Sequence, residues 1–195
     1  MKILDIGCGD GLLLKDMLKK TGSLAVGIDI SEDKLKAAKY NLSDIDKVEI
    51  VNSDIWCYHD SRKFDVVVLS NILEHLNKRS ELLRYIMQSF GPKKILIRVP
   101  AFDRDWLVPY KKEFGLEWRL DNTHKVEYTE ELFRRELKVA GLKIKELSFR
   151  WGEIYAFAMP AIKREKFICR IILTRRKNFG IRSGAGVLLK ICLAK

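Results

Sequence analysis

The stretch Lys2-Ile3-Leu4-Asp5-Ile6-Gly7-Cys8-Gly9-Asp10-Gly11 is an apolar run that stops on three alternating glycines. The run reads as a β-strand. Glycine at every second position lets the backbone turn sharply and come close to a ligand. A helix is expected over roughly residues 11–20, so its N-terminal amides lie just beyond the loop. The dinucleotide fingerprint G-x-G-x-x-G needs a third glycine five residues after the first. Leu12 stands there instead, and Gly11 falls one place early. Asp5, directly ahead of the loop, would repel a phosphate and welcome an ammonium group. The loop reads as a cradle for a cationic ligand without phosphates.

Outward from the loop, short apolar runs alternate with amphipathic segments, the pattern of βα units around a parallel sheet. Leu24–Ile30 is a second strand. Ser31-Glu32-Asp33 supplies a serine cap and early acids for a helix reaching about Asn41. Lys47–Val51 and Phe64–Leu69 are the third and fourth strands, the fourth β-branched on both faces as a doubly buried strand requires. A helix near Lys78–Phe90 ends at Gly91-Pro92, and Lys94–Val99 is a fifth strand stopped by Pro100. Residues 101–123 then lose any clean period. Phe102, Trp106, Tyr110, Phe114 and Trp118 stand there among charges, as in a lid, a binding loop or a helix that the pattern hides. Thr129-Glu130-Glu131 caps a helix to Ala140, closed by Gly141. Leu142–Phe149 and Glu153–Met159, joined by Arg150-Trp151-Gly152, form a closing antiparallel hairpin.

Two more acids fit the same ligand. Asp29 ends the second strand, where a carboxylate accepts both hydroxyl protons of a ribose. Asp54 follows the third strand in Asn52-Ser53-Asp54-Ile55, placed to take a hydrogen bond from an adenine amino group. Ligands of open parallel sheets bind beyond the strand carboxyl ends, where all three acids fall. Asp5-x-Gly7-x-Gly9-x-Gly11, then Asp29, Asp54, and Phe64-Asp65-Val66-Val67-Val68-Leu69-Ser70-Asn71 with Leu73-Glu74-His75-Leu76 occur in this order over about residues 1–160. In that order and spacing the chain resembles the class I S-adenosylmethionine-dependent methyltransferases.

The resemblance implies an α/β fold, a doubly wound, mostly parallel seven-stranded sheet with an antiparallel last strand, in agreement with the hairpin. It implies S-adenosyl-L-methionine as cofactor. Carried over, the loop Gly7, Cys8, Gly9 and Gly11, with Asp5, would hold the methionine part. Asp29 would take the ribose, Asp54 with the Ile55 backbone the adenine, Ile30 would be a further cofactor contact, and Ser70 would lie near the methyl sulfonium. Members of the family usually carry one or two helices before the first strand, whereas here the chain starts on the strand itself.

A sulfonium is a good leaving group, so methyl transfer depends mainly on positioning and on displacing water. A general base is needed only for a hydroxyl or similar weak acid. His124, in Asp121-Asn122-Thr123-His124-Lys125-Val126-Glu127-Tyr128-Thr129, lies in a stretch similar to one at the substrate mouth of small-molecule methyltransferases. It is the candidate base, with a helix-flanking role as the alternative. Glu74 and His75 read as packing or capping groups, and His59 as structural. Trp106, Tyr110 and Tyr128 are candidate substrate contacts, suited to a flat, sugar-like or partly apolar acceptor. No Asn/Asp-Pro-Pro-Tyr/Phe follows the fourth strand, which argues against amino-methylating enzymes. No Pro-Cys stands there either, so a covalent cysteine mechanism lacks its nucleophile. The cysteines (Cys8, Cys57, Cys169, Cys192) are scattered, with no C-x-x-C pair and no histidine at ligand spacing. Neither a metal site nor a disulfide framework is expected.

At 195 residues, 47% apolar and 32% charged, the chain supports one full core plus an appendage and excludes wholesale disorder. No stretch approaches the ~18–20 apolar residues of a membrane span. The N-terminus shows no secretory leader pattern, and a cytoplasmic setting is expected. The net charge of +11 is unevenly placed. Of 37 bases and 26 acids, residues 161–195 hold ten bases and one acid, so the tail is +9 and residues 1–160 are +2. The chain therefore divides into a methyltransferase domain, 1–160, and a basic amphipathic helical tail, 161–195. On a helix, Lys163, Lys166, Arg170 and Thr174 share one face, with Phe167, Ile168, Ile171 and Ile172 on the other. That composition suits a helix lying peripherally on an anionic membrane surface. Folding back on the sheet and binding nucleic-acid phosphates are the rival readings. The expected function is methyl transfer to a small-molecule, glycan or lipid-linked acceptor. The alternatives are a non-catalytic methyltransferase-like binding module and an RNA methyltransferase that uses the tail.

Overall fold

Val66-Val67-Val68-Leu69 is buried along its whole length, which only a strand covered on both faces allows. In the computed structural model, which describes residues 1–119 and 121–161, this run is the middle strand of seven. The elements are β1 (Lys2–Ile6), α1 (Leu12–Thr21), β2 (Leu24–Asp29), α2 (Glu32–Asn41), β3 (Val48–Asn52) and β4 (Val66–Ser70). A 3-10 turn (Leu73–His75), α3 (Arg79–Phe90), β5 (Lys94–Pro100), α4 (Leu107–Glu113), α5 (Glu130–Val139), β6 (Leu142–Arg150) and β7 (Glu153–Pro160) complete them. The sheet order is β3-β2-β1-β4-β5-β7-β6. All pairs from β3 through β5 are parallel, and β7 runs antiparallel to both β5 and β6. This is the doubly wound seven-stranded sheet expected from the sequence. The basic tail lies outside the described residues.

Strand periodicity divides the core into two layers. Leu4, Ile6, Val67, Leu69, Ile95 and Ile97 face α3 and α5, meeting Leu82, Leu83, Ile86 and Phe90 of the first and Phe133 and Leu137 of the second. Ile3, Val66 and Val68 face the other way, onto Leu14 and Leu18 of α1 and Leu35 and Ala38 of α2. The helix starts follow their caps: Ser31 Oγ accepts from Lys34 N at 3.4 Å and Thr129 Oγ1 from Leu132 N at 3.2 Å. The hairpin between β6 and β7 turns on Trp151 and Gly152, with φ of 53° and 74°. Two consecutive left-handed residues suit the right-handed twist of the flanking strands. β3 and β6 are the outermost strands, and the β6–β7 register shifts between Ile144 and Glu146.

The hidden-helix alternative for residues 101–123 is the one observed. α4 has Val108 as its buried residue, while Trp106, Tyr110 and Phe114 stack on one another in solvent, with ring centroids 5.8 and 4.8 Å apart. The apolar stripe faces outward, so no inward periodicity marks the helix. Pro109 sits in its first turn, where the missing N–H leaves no bond unmade.

Phe90 ends α3 fully buried, with the rings of Tyr58, Phe64 and Tyr85 all within 6.0 Å of its own. Phe90→Ala is expected to lower unfolding free energy by about 3–5 kcal/mol, read as a reduced midpoint in urea denaturation.

Candidate functional site

β1 is the switch point of the sheet: β2 leaves it on one side and β4 on the other, so a crevice opens beyond its carboxyl end. The glycine loop wraps that opening. Gly7, Gly9 and Gly11 have φ of 73°, 57° and 77°, a region costly for residues with a Cβ. Gly7 N and Cys8 N both donate to Ile28 O, at 2.7 and 3.0 Å, which lashes the loop to the end of β2. A Cβ on Gly7 would stand 2.0 Å from Ile72 Cδ1, so the loop after β4 packs directly on this glycine. Around Gly9, by contrast, the place of a Cβ is open.

Asp29 is held by the same loop. Its Oδ2 accepts from Gly9 N and its Oδ1 from Ser31 N, each at 2.9 Å, while its carbonyl accepts from Ser53 N and Asn52 Nδ2. The carboxylate is oriented without a cation and keeps lone pairs for a ligand. Asp54 is exposed, its Oδ1 capping Trp56 N at 2.8 Å. A cleft of about 430 Å³ joins these groups, within the range of small-ligand sites. Gly7, Asp29, Ile30, Asp54 and Ile55 line it with Lys34 and Trp56, and so do Asn71, Ile72, His75, Leu76 and Thr123.

Several residues singled out in the sequence lie elsewhere. Asp5 is 1% exposed behind the loop, with Oδ2 unpartnered. Burial, reinforced by the charge of Asp29, pushes its carboxyl up to about 7. Cys8 is buried too, and burial pushes its thiol up to about 12, an unreactive value. Gly9 and Gly11 shape the loop without lining the cleft. Ser70 borders a separate apolar depression with Leu13, Met17, Leu96 and Phe157. Tyr128 is fully buried against Phe133 and donates to Glu136 Oε2 at 2.8 Å, and Trp106 and Tyr110 point to solvent. None of these three lines the cleft.

The histidines exchange places relative to expectation. His124 is 5% exposed, its Nδ1 2.7 Å from Glu127 Oε1, and does not line the cleft; His75 does. The two rings meet edge to face with centroids 4.8 Å apart. Lys125 N and Val126 N donate to Glu74 O at 2.7 and 3.4 Å, which lays the strap after His124 on the 3-10 turn. Glu74 is fully buried with both carboxylate oxygens unpartnered, and burial, aided by Glu153 and Glu127, pushes it up to about 7. Burial and the neighbouring His124 push His75 below the usual histidine value. Glu74, His75 and His124 each offer one ligand atom within 4.8 Å of the others, a spacing that admits a divalent cation. Linear spacing hides the cluster, because His124 arrives on a strap far along the chain.

A family profile described as a methyltransferase domain matches residues 4–93. A ubiquinone biosynthesis O-methyltransferase of Bartonella tribocorum is 30% identical over 147 residues, 71% of this chain and 57% of that protein. One from Pelagibacter ubique is 30% identical over 130 residues, 54% of each. The chain spans just over half the length of these curated relatives. The solved magnesium protoporphyrin IX methyltransferase of Synechocystis PCC 6803, with bound SAH, superposes with a TM-score of 0.62 at 19% identity, covering 80% of this chain and 73% of that one. A SAM dependent methyltransferase from Aquifex aeolicus gives 0.62 at 17% identity, 82% of each. At such identities the structures speak for the fold.

The Asp5 shift carries a stability prediction. The unfolded carboxyl binds its proton below pH about 4 and the folded one below about 7. Between those values the folded state binds more protons, so stability falls as pH rises through the window. Asp5→Asn removes this dependence. Its stability relative to wild type should grow by a few kcal/mol from pH 4 to pH 7, measured by urea titration at each pH. Glu74 titrates in the same window in both proteins and cancels in the difference.

Proposed function

We propose that the chain, matched over residues 4–93 by a methyltransferase-domain family model, works as a class I S-adenosylmethionine-dependent methyltransferase and moves a methyl group from S-adenosyl-L-methionine to a hydroxyl of a small-molecule acceptor. One observation carries the reading: a single cleft is lined both by Gly7, Asp29 and Asp54 and by His75 with Thr123. The open space at Gly9 fits a ligand group lying against bare backbone. When bound, S-adenosylmethionine supplies an electrophilic methyl on a sulfonium leaving group.

In this proposal the loop Gly7–Gly11 cradles the methionine part, Asp29 accepts the ribose hydroxyls and Asp54 takes the adenine amino group, with Ile30 and Ile55 against the base. Asp5 acts from behind the loop through its field and not by contact. His75, on the cleft wall, accepts the acceptor's hydroxyl proton while the oxygen meets the methyl carbon, and its depressed proton affinity keeps it neutral and ready near pH 7. His124 stands behind it. The O-methyltransferase names of the curated relatives favour oxygen as the acceptor atom. Residues 1–160 form the catalytic domain in this reading. The tail, with its charge of +9, holds the protein at an anionic cytosolic membrane face, each basic side chain adding about 1 kcal/mol.

Isothermal calorimetry should show S-adenosylmethionine binding to the wild-type chain, weakened by about 10–100-fold in Asp29→Ala. No binding by wild type would remove the enzyme reading in favour of a non-catalytic module. His75→Ala should keep that affinity and lose about 10²–10⁴-fold in kcat with a hydroxylated acceptor, whereas an unchanged kcat would exclude it as base. Flotation with anionic liposomes should fail after deletion of residues 161–195, and equal flotation without them would refute the membrane anchor.

A further inference from the structure

Two short hydrogen-bond chains reach the rings of His75 and His124. Thr123 Oγ1 lies 2.6 Å from Asp121 Oδ1 and 2.9 Å from His75 Nδ1. Its own backbone N donates to the same Asp121 oxygen at 2.8 Å, and these two bonds hold the Asp121 carboxyl below the usual carboxylate range. An ionised carboxylate only accepts, and a hydroxyl has one proton to give. That proton goes to Asp121, so the Thr123 oxygen is left to accept, and its donor is His75 Nδ1–H. Glu127 repeats the logic on the buried side. Its Oε1 lies 2.7 Å from His124 Nδ1, and its Oε2 is 3.6 Å from the guanidinium of Arg104, a cation facing this carboxylate; across the ring, His124 Nε2 lies 3.9 Å from Asp121 Oδ2, too far for a hydrogen bond.

From this geometry we infer that Asp121 with Thr123, and Glu127, are positioning residues that hold His75 and His124 in the Nδ1–H tautomer and leave Nε2 of each ring as the lone-pair nitrogen. Neither carboxylate touches the cleft; each acts through a ring. An unconstrained histidine carries its proton mainly on Nε2, so both rings are kept in the less common form by their partners. His75 brings its lone pair to the lining of the cleft, while His124 and the fully buried carboxylate of Glu74, unpartnered among the described residues, stand behind it. A base role for His75 rests on the methyl-transfer reading. The tautomers do not.

Long-range ¹H–¹⁵N correlation spectra of the full chain, without cofactor and at a pH where the rings are neutral, read each nitrogen directly. Wild type should show Nδ1 protonated and Nε2 bare for His75 and His124, with exposed His59 as an internal reference for an unconstrained ring. Thr123→Val should return His75 to the Nε2–H form and leave His124 unchanged, and Thr123→Ser should restore the wild-type pattern. Glu127→Leu should do the same to His124, with Glu127→Gln retaining the bond through its amide oxygen. Thr123 is exposed, so its pair of variants decides the matter even where Glu127→Leu does not fold. An Nε2–H signal from either ring in wild type, or no response to Thr123→Val, overturns the inference. In turnover assays Thr123→Val should lose about 10–100-fold in kcat with KM for the cofactor unchanged, recovered in Thr123→Ser. A protein with these tautomers and no methyl transfer would count against the reaction and leave the positioning intact.

Discussion

The cleft depends on how one carboxylate is held. Asp29 takes N–H donors from Gly9 and Ser31, so its oxygens are fixed by the backbone of two different segments. Gly9 can donate only because its backbone is left-handed, and Gly7 must be left-handed for the loop to fold back onto the end of β2. The absent side chain at Gly7 then admits Ile72, which carries the 3-10 turn and His75 behind it. Asp29 on one wall segment and Ile72 with His75 on another are thereby referenced to the same glycine loop. A change in the loop displaces both together.

This arrangement explains what could be read from the sequence and what could not. The placing of the loop, Asp29 and Asp54 at strand ends was legible because it follows from backbone needs there, which residue type and spacing express directly. β4 was legible because a strand buried on both faces must be apolar throughout. The histidine lining the cleft was not. Which histidine meets the cleft is decided by the strap after His124 binding the Glu74 carbonyl, a tertiary contact with no linear signature. Tyr128 resembles a substrate contact in sequence yet fills the core above Phe133. Asp5 reads as a partner for a ligand cation, but β-strand alternation turns it beneath the loop and into the protein.

The buried acids oppose stability. Asp5 and Glu74 are almost fully enclosed with oxygens that no donor reaches, and both are pushed towards neutral pH for that reason. Groups so placed weaken a fold and recur where a site needs charge in a dry setting. Here they flank the cleft from two sides, Asp5 beneath the glycine loop and Glu74 beneath His75. The rest of the sheet offsets them with two full apolar layers.

The placement of the outermost strands bears on how the molecule behaves in a crowd. β6 carries Lys143, Lys145, Glu146 and Arg150, and its register slip beside Ile144 kinks the outer row of amides and carbonyls, unpaired among the described residues. β3, at the opposite margin, is five residues long and includes Glu49. Short length, charge and a bulge are the features that stop one sheet from recruiting the border of another. The parallel strands are slow to assemble and expose sticky intermediates while they do. Unattractive borders disfavour lateral, edge-to-edge polymerisation in the meantime.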